Sequence, residues 1–282
     1  MKKTTLANFF APEETSTEFC IFNQLESTHT FTLKQTWFNR MRPNHLIVVF
    51  AEKQTKGIGT HQRTWQSSHL TDFHINLVFL TDQILPFSLL TAISTCRFLH
   101  EISQCKKDFK IRWPNDVLFE NKKMSGNMTL VRNWNDLYWA TVGVGINFNL
   151  TAQKGKSIDQ PITSVKQVLN KEKPYSTSEI FENVQLFSDF FIETLYWFRR
   201  IGAKQYLKGN EHFWLYLKHN VTIYDEDRKE TLEGTFESIS DNGSLILTPL
   251  KTKDSLTVIN GTQLKLSPNQ PENYEIPLEN FT

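Results

Sequence analysis

Cysteine is scarce in this chain of 282 residues, and the few that occur form neither a disulfide framework nor a metal-binding motif. Cys20, Cys96 and Cys105 show no paired spacing, and the apolar surroundings of Cys96 predict a buried thiol. A small and odd number of cysteines is typical of a reducing compartment, so we expect a cytoplasmic protein.

Excess charge of one sign and long apolar runs are also missing. Lysine and arginine number 31 against 30 aspartates and glutamates, and this net charge of +1 argues against nucleic-acid binding through a general positive field. No apolar run approaches the ~18 residues of a membrane span. The N-terminus lacks the apolar run of about 7–15 residues that marks a signal peptide. We therefore expect no membrane and no DNA partner.

The chain nevertheless contains enough apolar residues for a packed core, with 39% hydrophobic and 13% aromatic residues. Periodicity predicts helices over 27–41, 86–103 and 178–202, buried strands over 46–51, 74–80, 110–113 and 137–150, and a hairpin over 117–131 turning near Glu120–Asn121. Short alternating runs with Asn-Gly turns predict a small all-β unit of about five strands over 220–266. We predict an irregular arm over 1–18, a main domain over 19–217, a small β domain over 218–267 and a loose tail over 268–282.

A polar loop over 52–68 contains two glycines, Gly57 and Gly59, separated by one residue. Glycines let backbone N–H groups approach a ligand closely, and nearby cations would help to bind phosphate or carboxylate. The candidate cations are Lys53, Lys56, His61 and Arg63. No Gly-Lys-Ser/Thr follows and no third glycine opens a helix, which excludes a Walker-type loop and a Rossmann fingerprint. An anion-binding loop and a plain solvated loop both fit these residues.

The segment RWPNDVLFENKKMSG, residues 112–126, places polar groups directly after a short strand. Asn115 and Asp116 suit a ribose, a phosphate-bound metal or an amine nucleophile. The hairpin would bring Lys123 back toward Asp116, where its ammonium can neutralise a phosphate or an acyl carboxylate. Gly126 leaves space for a flat ligand against the strand. An ordinary hairpin with its tryptophan in the core also fits.

The segment GVGINFN, residues 143–149, combines two glycines with Asn147 at the end of a strand. Glycines in a strand indicate either a β-bulge or a place where a ligand presses on the backbone. Both interpretations are open for these residues.

Taken in order, these segments resemble the biotin–protein ligases, also called biotin–[acetyl-CoA-carboxylase] ligases. That family has a Gly-Arg-Gly-Arg-x-Gly-Arg-x-Trp loop, then Lys-Trp-Pro-Asn-Asp, a Lys-Leu-x-Gly-Ile-Leu hairpin and a Gly-x-Gly-Ile-Asn strand end. Here the matching segments are GIGTHQRTW, RWPND, KMSGNM and GVGINFN, and ESTH stands where the family has Asp-Ser-Thr-Asn. The resemblance spans roughly residues 20–266, with the small β unit in the place of the family's SH3-like domain.

The resemblance implies an α+β protein of the class II synthetase-like biotin/lipoate ligase fold, with a mixed, mainly antiparallel sheet, helices and a small C-terminal SH3-like β barrel. It implies an ATP-dependent ligase that forms biotinyl-5'-AMP with Mg²⁺ and transfers biotin to a lysine of a biotin carboxyl carrier protein, the acetyl-CoA carboxylase subunit. Only about 20 residues precede the matching region, so we expect no DNA-binding domain and no repressor function. A monomer and a homodimer are both open.

Carried over residue by residue, the resemblance implies a biotin site, an ATP site and a catalytic group. Biotin would be bound by Ser27, Thr28, His29, Gln54, Gly57, Lys123 and Gly126. ATP would be bound by Gly59, Arg63, Trp65, Asn115, Asp116, Lys123 and Asn147, with Mg²⁺ held through the phosphates. The catalytic residues would be Lys123, Asp116 and Arg63, with Lys123 bridging the biotin carboxylate and the α-phosphate.

The loop departs from the family pattern, because Ile58, Thr60 and Gln62 replace two arginines and a glycine, and Arg63 alone stands at an arginine position. The loop therefore has less charge where it would grip phosphate, and we expect biotinyl-adenylate to leave this protein faster than it leaves an arginine-rich ligase. A direct measurement of the adenylate dissociation rate checks this expectation, and equal rates for the two proteins contradict it.

Two other interpretations of the sequence compete with a biotin–protein ligase. A lipoate or octanoate ligase or transferase has the same core fold, and His29 and Asn127 in place of an asparagine and an apolar residue leave strict biotin specificity open. A degenerate, non-catalytic binding module would explain the eroded loop, but it needs no nucleotide residues. Activity with ATP separates these readings.

Overall fold

The computed structural model describes residues 9–34, 37, 39–60, 63–65, 72–150, 160–250 and 254–267. The chain forms two compact units, one of Met1–Leu215 with Asp241–Gly243 and one of Tyr216–Ser240 with Ser244–Thr282. The elements of the first unit are β1 (Ser16–Leu25), α1 (Thr28–Lys34), β2 (His45–Gln54), β3 (Phe73–Thr81), α2 (Phe87–Ile102), β4 (Phe109–Arg112), β5 (Asp116–Phe119), β6 (Lys122–Trp134), β7 (Leu137–Ile146), α3 (Val165–Val168), α4 (Thr177–Ile201), α5 (Ala203–Gly209) and a 3₁₀ turn (Glu211–Phe213). Those of the second are β8 (Asn220–Asp225), β9 (Glu230–Ile239), β10 (Leu245–Pro249), β11 (Leu256–Val258) and β12 (Gly261–Leu266).

A seven-stranded sheet organises the larger unit, in the order β1-β2-β3-β7-β6-β5-β4. Strands β1 and β2 pair in parallel, and the other neighbours pair antiparallel. Every residue of β3 is buried, as an apolar strand in the middle of a covered sheet requires. The predicted α+β class with a mainly antiparallel sheet is therefore confirmed.

The two long helices follow from capping signals as well as apolar periodicity. Pro86 precedes α2, where its missing N–H costs nothing. Ser176 and Glu179 form a capping box at the start of α4, and Gly202 ends that helix with a φ of 86°, which favours glycine. Both helices contribute to an aromatic core against the sheet, in which Phe73 contacts Phe98 of α2 and Phe187 of α4. The predicted helices over 86–103 and 178–202 are therefore confirmed within a residue or two at each end.

Three elements differ from the sequence-based expectations. Strand β1 begins at Ser16, inside the segment predicted as an irregular arm, because its first three residues are polar and its apolar run starts only at Phe19. Helix α1 ends at Lys34 rather than near 41, and the Trp37 indole donates its N–H to the Thr32 carbonyl at 2.9 Å. Strand β7 ends at Ile146, and the chain then turns where Phe148 and Asn149 donate to the Asp72 carboxylate.

The smaller unit is a five-stranded antiparallel sheet in the order β11-β10-β9-β8-β12. In the turn after β8 the Asp225 carboxylate accepts N–H bonds at 2.9 Å from Asp227 and Arg228. At Gly234 a β-carbon would lie 2.4 Å from the Thr248 carbonyl oxygen, so only glycine fits this close approach. The predicted all-β unit of about five strands is confirmed. Across both units, the described residues include no helix long and apolar enough to span a membrane.

Candidate functional site

Two glycines form a floor against which an aromatic ring packs. Gly126 of β6 and Gly145 of β7 are directly paired in the sheet. A β-carbon added to Gly145 would lie 2.5 Å from Cε2 and Cζ2 of Trp65, and one added to Gly126 would lie 3.3 Å from Cζ3 of the same ring. A β-carbon cannot lie 2.5 Å from another heavy atom, so the indole can cover Gly145 only because this residue has no side chain.

The floor extends along β7 to Gly143, which lies two residues before Gly145 and so faces the same side of the sheet. A β-carbon at Gly143 would lie 3.3 Å from Cγ of Met128, 3.6 Å from Oδ1 of Asn76 and 3.7 Å from Nδ1 of His29. We refer to Gly126, Gly143 and Gly145 as the glycine floor. One end therefore lies next to Lys123, and the other lies beneath buried polar side chains.

A group of three charges lies beside Gly126. The Lys123 ammonium is 2.6 Å from Oδ1 of Asp116, and an Arg112 guanidinium nitrogen is 2.6 Å from Oδ2. Between 14% and 25% of each side chain is exposed, so water screens these contacts less than it would at the surface. Two cations and one carboxylate leave this charge cluster with one net positive charge, which suits an anionic ligand.

A β-bulge explains how Lys123 reaches the glycine floor. Residues three apart on a regular strand point to opposite faces of the sheet. The register between β5 and β6 shifts between Val117 and Leu118, which pair with Ser125 and Lys123. The extra residue, Met124, interrupts the alternation, and Cε of Lys123 lies 3.1 Å from the β-carbon position of Gly126. The Lys123 backbone is held by bonds with Pro161 and Thr163 at 2.9 and 3.0 Å.

Several of the residues predicted to bind biotin come together at the start of α1. Gln54, at the end of β2, accepts bonds through Oε1 from the Thr28 backbone N–H at 2.7 Å and from its hydroxyl at 3.2 Å. Ser27 and Thr28 are buried, at 2% and 4% exposure. Nε2 of Gln54 lies 3.2 Å from the β-carbon position of Gly57. Gln54 therefore connects the start of α1 to the polar loop that contains Gly57 and Gly59, which we call the glycine loop.

The described part of the glycine loop folds back on itself. The Trp65 N–H donates to the Gly57 carbonyl at 2.9 Å, and the Gly59 N–H donates to the Arg63 carbonyl at 2.7 Å. These bonds return the chain so that Trp65 reaches the glycine floor. The ATP-binding role implied for Trp65 stays a prediction. The Arg63 side chain is exposed and forms no ion pair within the described residues. His61 lies outside the described residues.

The three site asparagines hold neighbouring segments in place. Nδ2 of Asn115 donates to the Asn127 carbonyl at 2.7 Å, and Nδ2 of Asn127 donates to the carbonyls of Asn115 and Ser88 at 3.2 and 3.0 Å. Nδ2 of Asn147 donates to the Thr163 carbonyl at 3.1 Å. Asn127, where the family has an apolar residue, therefore joins the Asn115 turn to α2. The ATP-binding roles of Asn115 and Asn147 stay predictions.

Five residues of this site were not among the predicted site residues: Asn76, Arg112, Asn127, Gly143 and Gly145. Asn76 does carry a sequence signal, because it is an amide within the apolar run HINLVFL of β3. Burial lowers the pKa of His29 below its ordinary value, so its ring is neutral near pH 7.

The mainly antiparallel sheet, with a glycine floor between a charge cluster and a buried polar end, has the fold of the biotin protein ligases. The structure of the biotin protein ligase from Aquifex aeolicus in complex with biotin and ATP superposes with a TM-score of 0.68 and 23% identity, covering 89% of this chain and 99% of that one. Identity at this level shows the fold alone.

Sequence comparison finds a matching family over part of the chain. The model of the Biotin/lipoate A/B protein ligase family matches residues 21–147. The bifunctional ligase/repressor BirA of Bacillus subtilis is 33% identical over 116 residues, which cover 39% of this chain and 35% of the relative. Biotin–protein ligase 2 of Arabidopsis thaliana is 20% identical over 272 residues, covering 86% of this chain and 78% of the relative. The chain thus spans about a third of the length of the first curated relatives it matches.

Proposed function

We propose that this protein is an ATP-dependent biotin–protein ligase that forms biotinyl-5'-AMP and transfers biotin to a lysine of a biotin carboxyl carrier protein. The observation that carries the proposal is the position of Lys123. Its ammonium lies 3.2 Å from the β-carbon position of Gly126 in the glycine floor and 2.6 Å from Oδ1 of Asp116. The biotin and ATP in the related Aquifex aeolicus complex support the same assignment.

The first half-reaction brings two anions together. A biotin carboxylate oxygen attacks the α-phosphorus of ATP, the P–O bond to the β-phosphate breaks, and pyrophosphate leaves with the bonding electrons. The carboxylate and the phosphates repel each other unless a cation lies between them. Lys123 supplies that cation, and the Asp116 carboxylate at 2.6 Å fixes the position of its ammonium. Arg112 holds the other Asp116 oxygen, so the carboxylate is oriented from both sides.

The remaining residues would hold the substrates. The buried Ser27, Thr28 and His29, with the half-buried Gln54 that bonds to Thr28, would receive the biotin head group. Gly57, Gly59 and the exposed Arg63 belong to the loop that would close over the phosphates. Mg²⁺ keeps several waters and is usually held by one or two carboxylates with substrate phosphates, so it would enter with ATP and neutralise the leaving pyrophosphate.

The second half-reaction needs a dry site and an oriented amine. The acyl carbon of biotinyl-5'-AMP is attacked by the carrier lysine amine, the bond to AMP breaks, and the amine proton is lost. Water would hydrolyse the mixed anhydride, so exclusion of solvent protects it. Trp65, which already covers Gly126 and Gly145, would form part of that shield, and Asp116 beside Lys123 would orient the incoming amine.

Pyrophosphate release tests the proposal. The protein is incubated with ATP and Mg²⁺ and with biotin, lipoate, octanoate or no acid, and we expect release only with biotin. Transfer of labelled biotin to a carrier domain is then measured, with a carrier whose acceptor lysine is changed to arginine as the control. Release that requires lipoate or octanoate would assign the protein to the ligase reaction with that acid. Absence of release with every acid would favour the binding module.

A further inference from the structure

Asn76 is a polar residue at the centre of a buried strand, with 0% of its surface exposed. Its neighbours on β3, Ile75 and Leu77, are equally buried. An amide in such surroundings is stable only when its nitrogen and its oxygen both find hydrogen-bond partners. The bonds made by each end of this amide therefore indicate what the residue is for.

The nitrogen end is fully used within the protein. Nδ2 of Asn76 donates to Oγ1 of Thr141 at 2.8 Å, to Oγ1 of Thr32 and, at 3.5 Å, to the Thr28 carbonyl. The Thr32 hydroxyl donates its own proton to the His29 carbonyl at 2.8 Å, so toward Asn76 it can only accept. This network fixes which end of the amide is nitrogen, and it directs Oδ1 away from α1.

The oxygen end has no partner. Oδ1 of Asn76 is buried and makes no hydrogen bond within the described residues, and the same holds for Nδ1 of His29. The two atoms lie 3.6 and 3.7 Å from one point, the β-carbon position of Gly143. Two unpartnered polar atoms from different elements thus converge above a glycine of the floor, where Cγ of Met128 also lies 3.3 Å from the same point.

We propose that Asn76 is a specificity-determining residue whose Oδ1 accepts a hydrogen bond from a ring N–H of the head group bound above Gly143. The proposal rests on the function proposed above and names the residue that recognises the head of the acid. A cyclic urea offers N–H donors to this oxygen, whereas the dithiolane of lipoate and the tail of octanoate offer none. Binding of either acid would leave Oδ1 buried and unpaired, and such sites reject analogues strongly.

The spacing agrees with this assignment. At ~3.3 Å per residue along a strand, Gly143 lies about 7 Å from Gly145. Gly145 is paired with Gly126, above which the Lys123 ammonium lies. A short saturated acyl chain spans this distance, so a carboxylate at Lys123 and a ring at Gly143 can belong to one molecule.

The test compares Asn76→Leu with the matched control Thr141→Val, which removes an acceptor from Nδ2 but leaves Oδ1 unchanged. Biotin binding without ATP is measured by titration calorimetry, and kcat and KM come from pyrophosphate release. We expect Asn76→Leu to weaken biotin binding and raise its KM about 10- to 100-fold, with kcat changed less. The preference for biotin over lipoate should fall with it, while Thr141→Val keeps that preference.

Three results would overturn the proposal: unchanged biotin affinity in Asn76→Leu, equal losses in both variants, or no biotin binding by the unmodified protein. Equal losses would mean that Asn76 acts through its nitrogen and the position of α1. Biotin binding without pyrophosphate release would refute the ligase function but leave the Asn76 comparison valid.

A second measurement needs no variant and applies if Asn76→Leu does not fold. Two biotin analogues are prepared, each methylated on a different ring nitrogen, and their binding to the unmodified protein is measured. We expect the analogue that lacks the N–H facing Asn76 to bind about 10- to 100-fold more weakly than biotin. Full affinity for both analogues would overturn the proposal.

Discussion

Replacing Lys123 with methionine is expected to lower biotin-dependent pyrophosphate release by about 10²- to 10³-fold, the usual effect of removing one donor that stabilises transition-state charge. Methionine keeps most of the apolar stem that packs near Gly126 but removes the ammonium between the two anions. The Arg112–Asp116 pair would remain, so the charge cluster would lose its net positive charge. Steady-state kinetics with saturating ATP and biotin measures the loss in kcat.

The matched control is Lys122→Met, one residue earlier on the same strand. The Lys122 side chain is 51% exposed, and its ammonium is 4.0 Å from Glu120. Exposed pairs of this kind contribute little to stability, so this variant should retain activity within about twofold of the unmodified protein. Similar losses in both variants, or full activity in Lys123→Met, would show that the charge at Lys123 does not drive the reaction.

The long helices and central strands were predictable because several local signals agree at each of them. Helix α4 combines an amphipathic pattern with a capping box at Ser176 and a terminating Gly202. The apolar runs of β2 and β3 are buried strands, as their composition predicts. The hairpin turn at Glu120 and Asn121 was also located correctly, between β5 and β6.

The elements that were not predicted depend on contacts distant in sequence. The polar start of strand β1, Ser16–Glu18, is a strand because it pairs with β2, and its own composition gives only a weak signal. Helix α5, Ala203–Gly209, follows α4 directly after Gly202. A glycine at this position predicts the end of a helix but gives no sign that another helix follows. Local propensity cannot anticipate either arrangement.

Part of the candidate site was likewise predictable from the local sequence, and part of it was not. The hairpin predicted that Lys123 would return to Asp116, and the two side chains lie 2.6 Å apart. The bulge at Met124 that brings Lys123 to Gly126 depends on pairing with β5 and has no local sequence signal. The contact of Trp65 with Gly145 joins positions 80 residues apart, so spacing alone did not reveal it.

Adding a methyl group at Gly145 is expected to weaken biotin binding about 10- to 100-fold, in line with the cost of overpacking a tightly packed site. In Gly145→Ala the new β-carbon would lie 2.5 Å from two ring atoms of Trp65, so the indole must move off the floor. The indole also lies beside Lys123, whose ammonium is 5.7 Å from the ring centroid, so moving the ring would disturb the place where we propose that the biotin carboxylate binds. Titration calorimetry measures the affinity, and thermal unfolding shows whether the fold is retained.

Gly209→Ala is the control for this substitution, because it adds the same methyl group at the end of α5 where no atom lies within 4 Å. We expect unchanged biotin affinity, and a gain of at most ~0.5–1 kcal/mol in the free energy of unfolding, since alanine is the better helix former. The two variants separate the shape of the glycine floor from a general effect of losing a glycine. If Gly145→Ala binds biotin as tightly as Gly209→Ala does, the floor is not where biotin lies, and the acid must bind on a different face of the sheet.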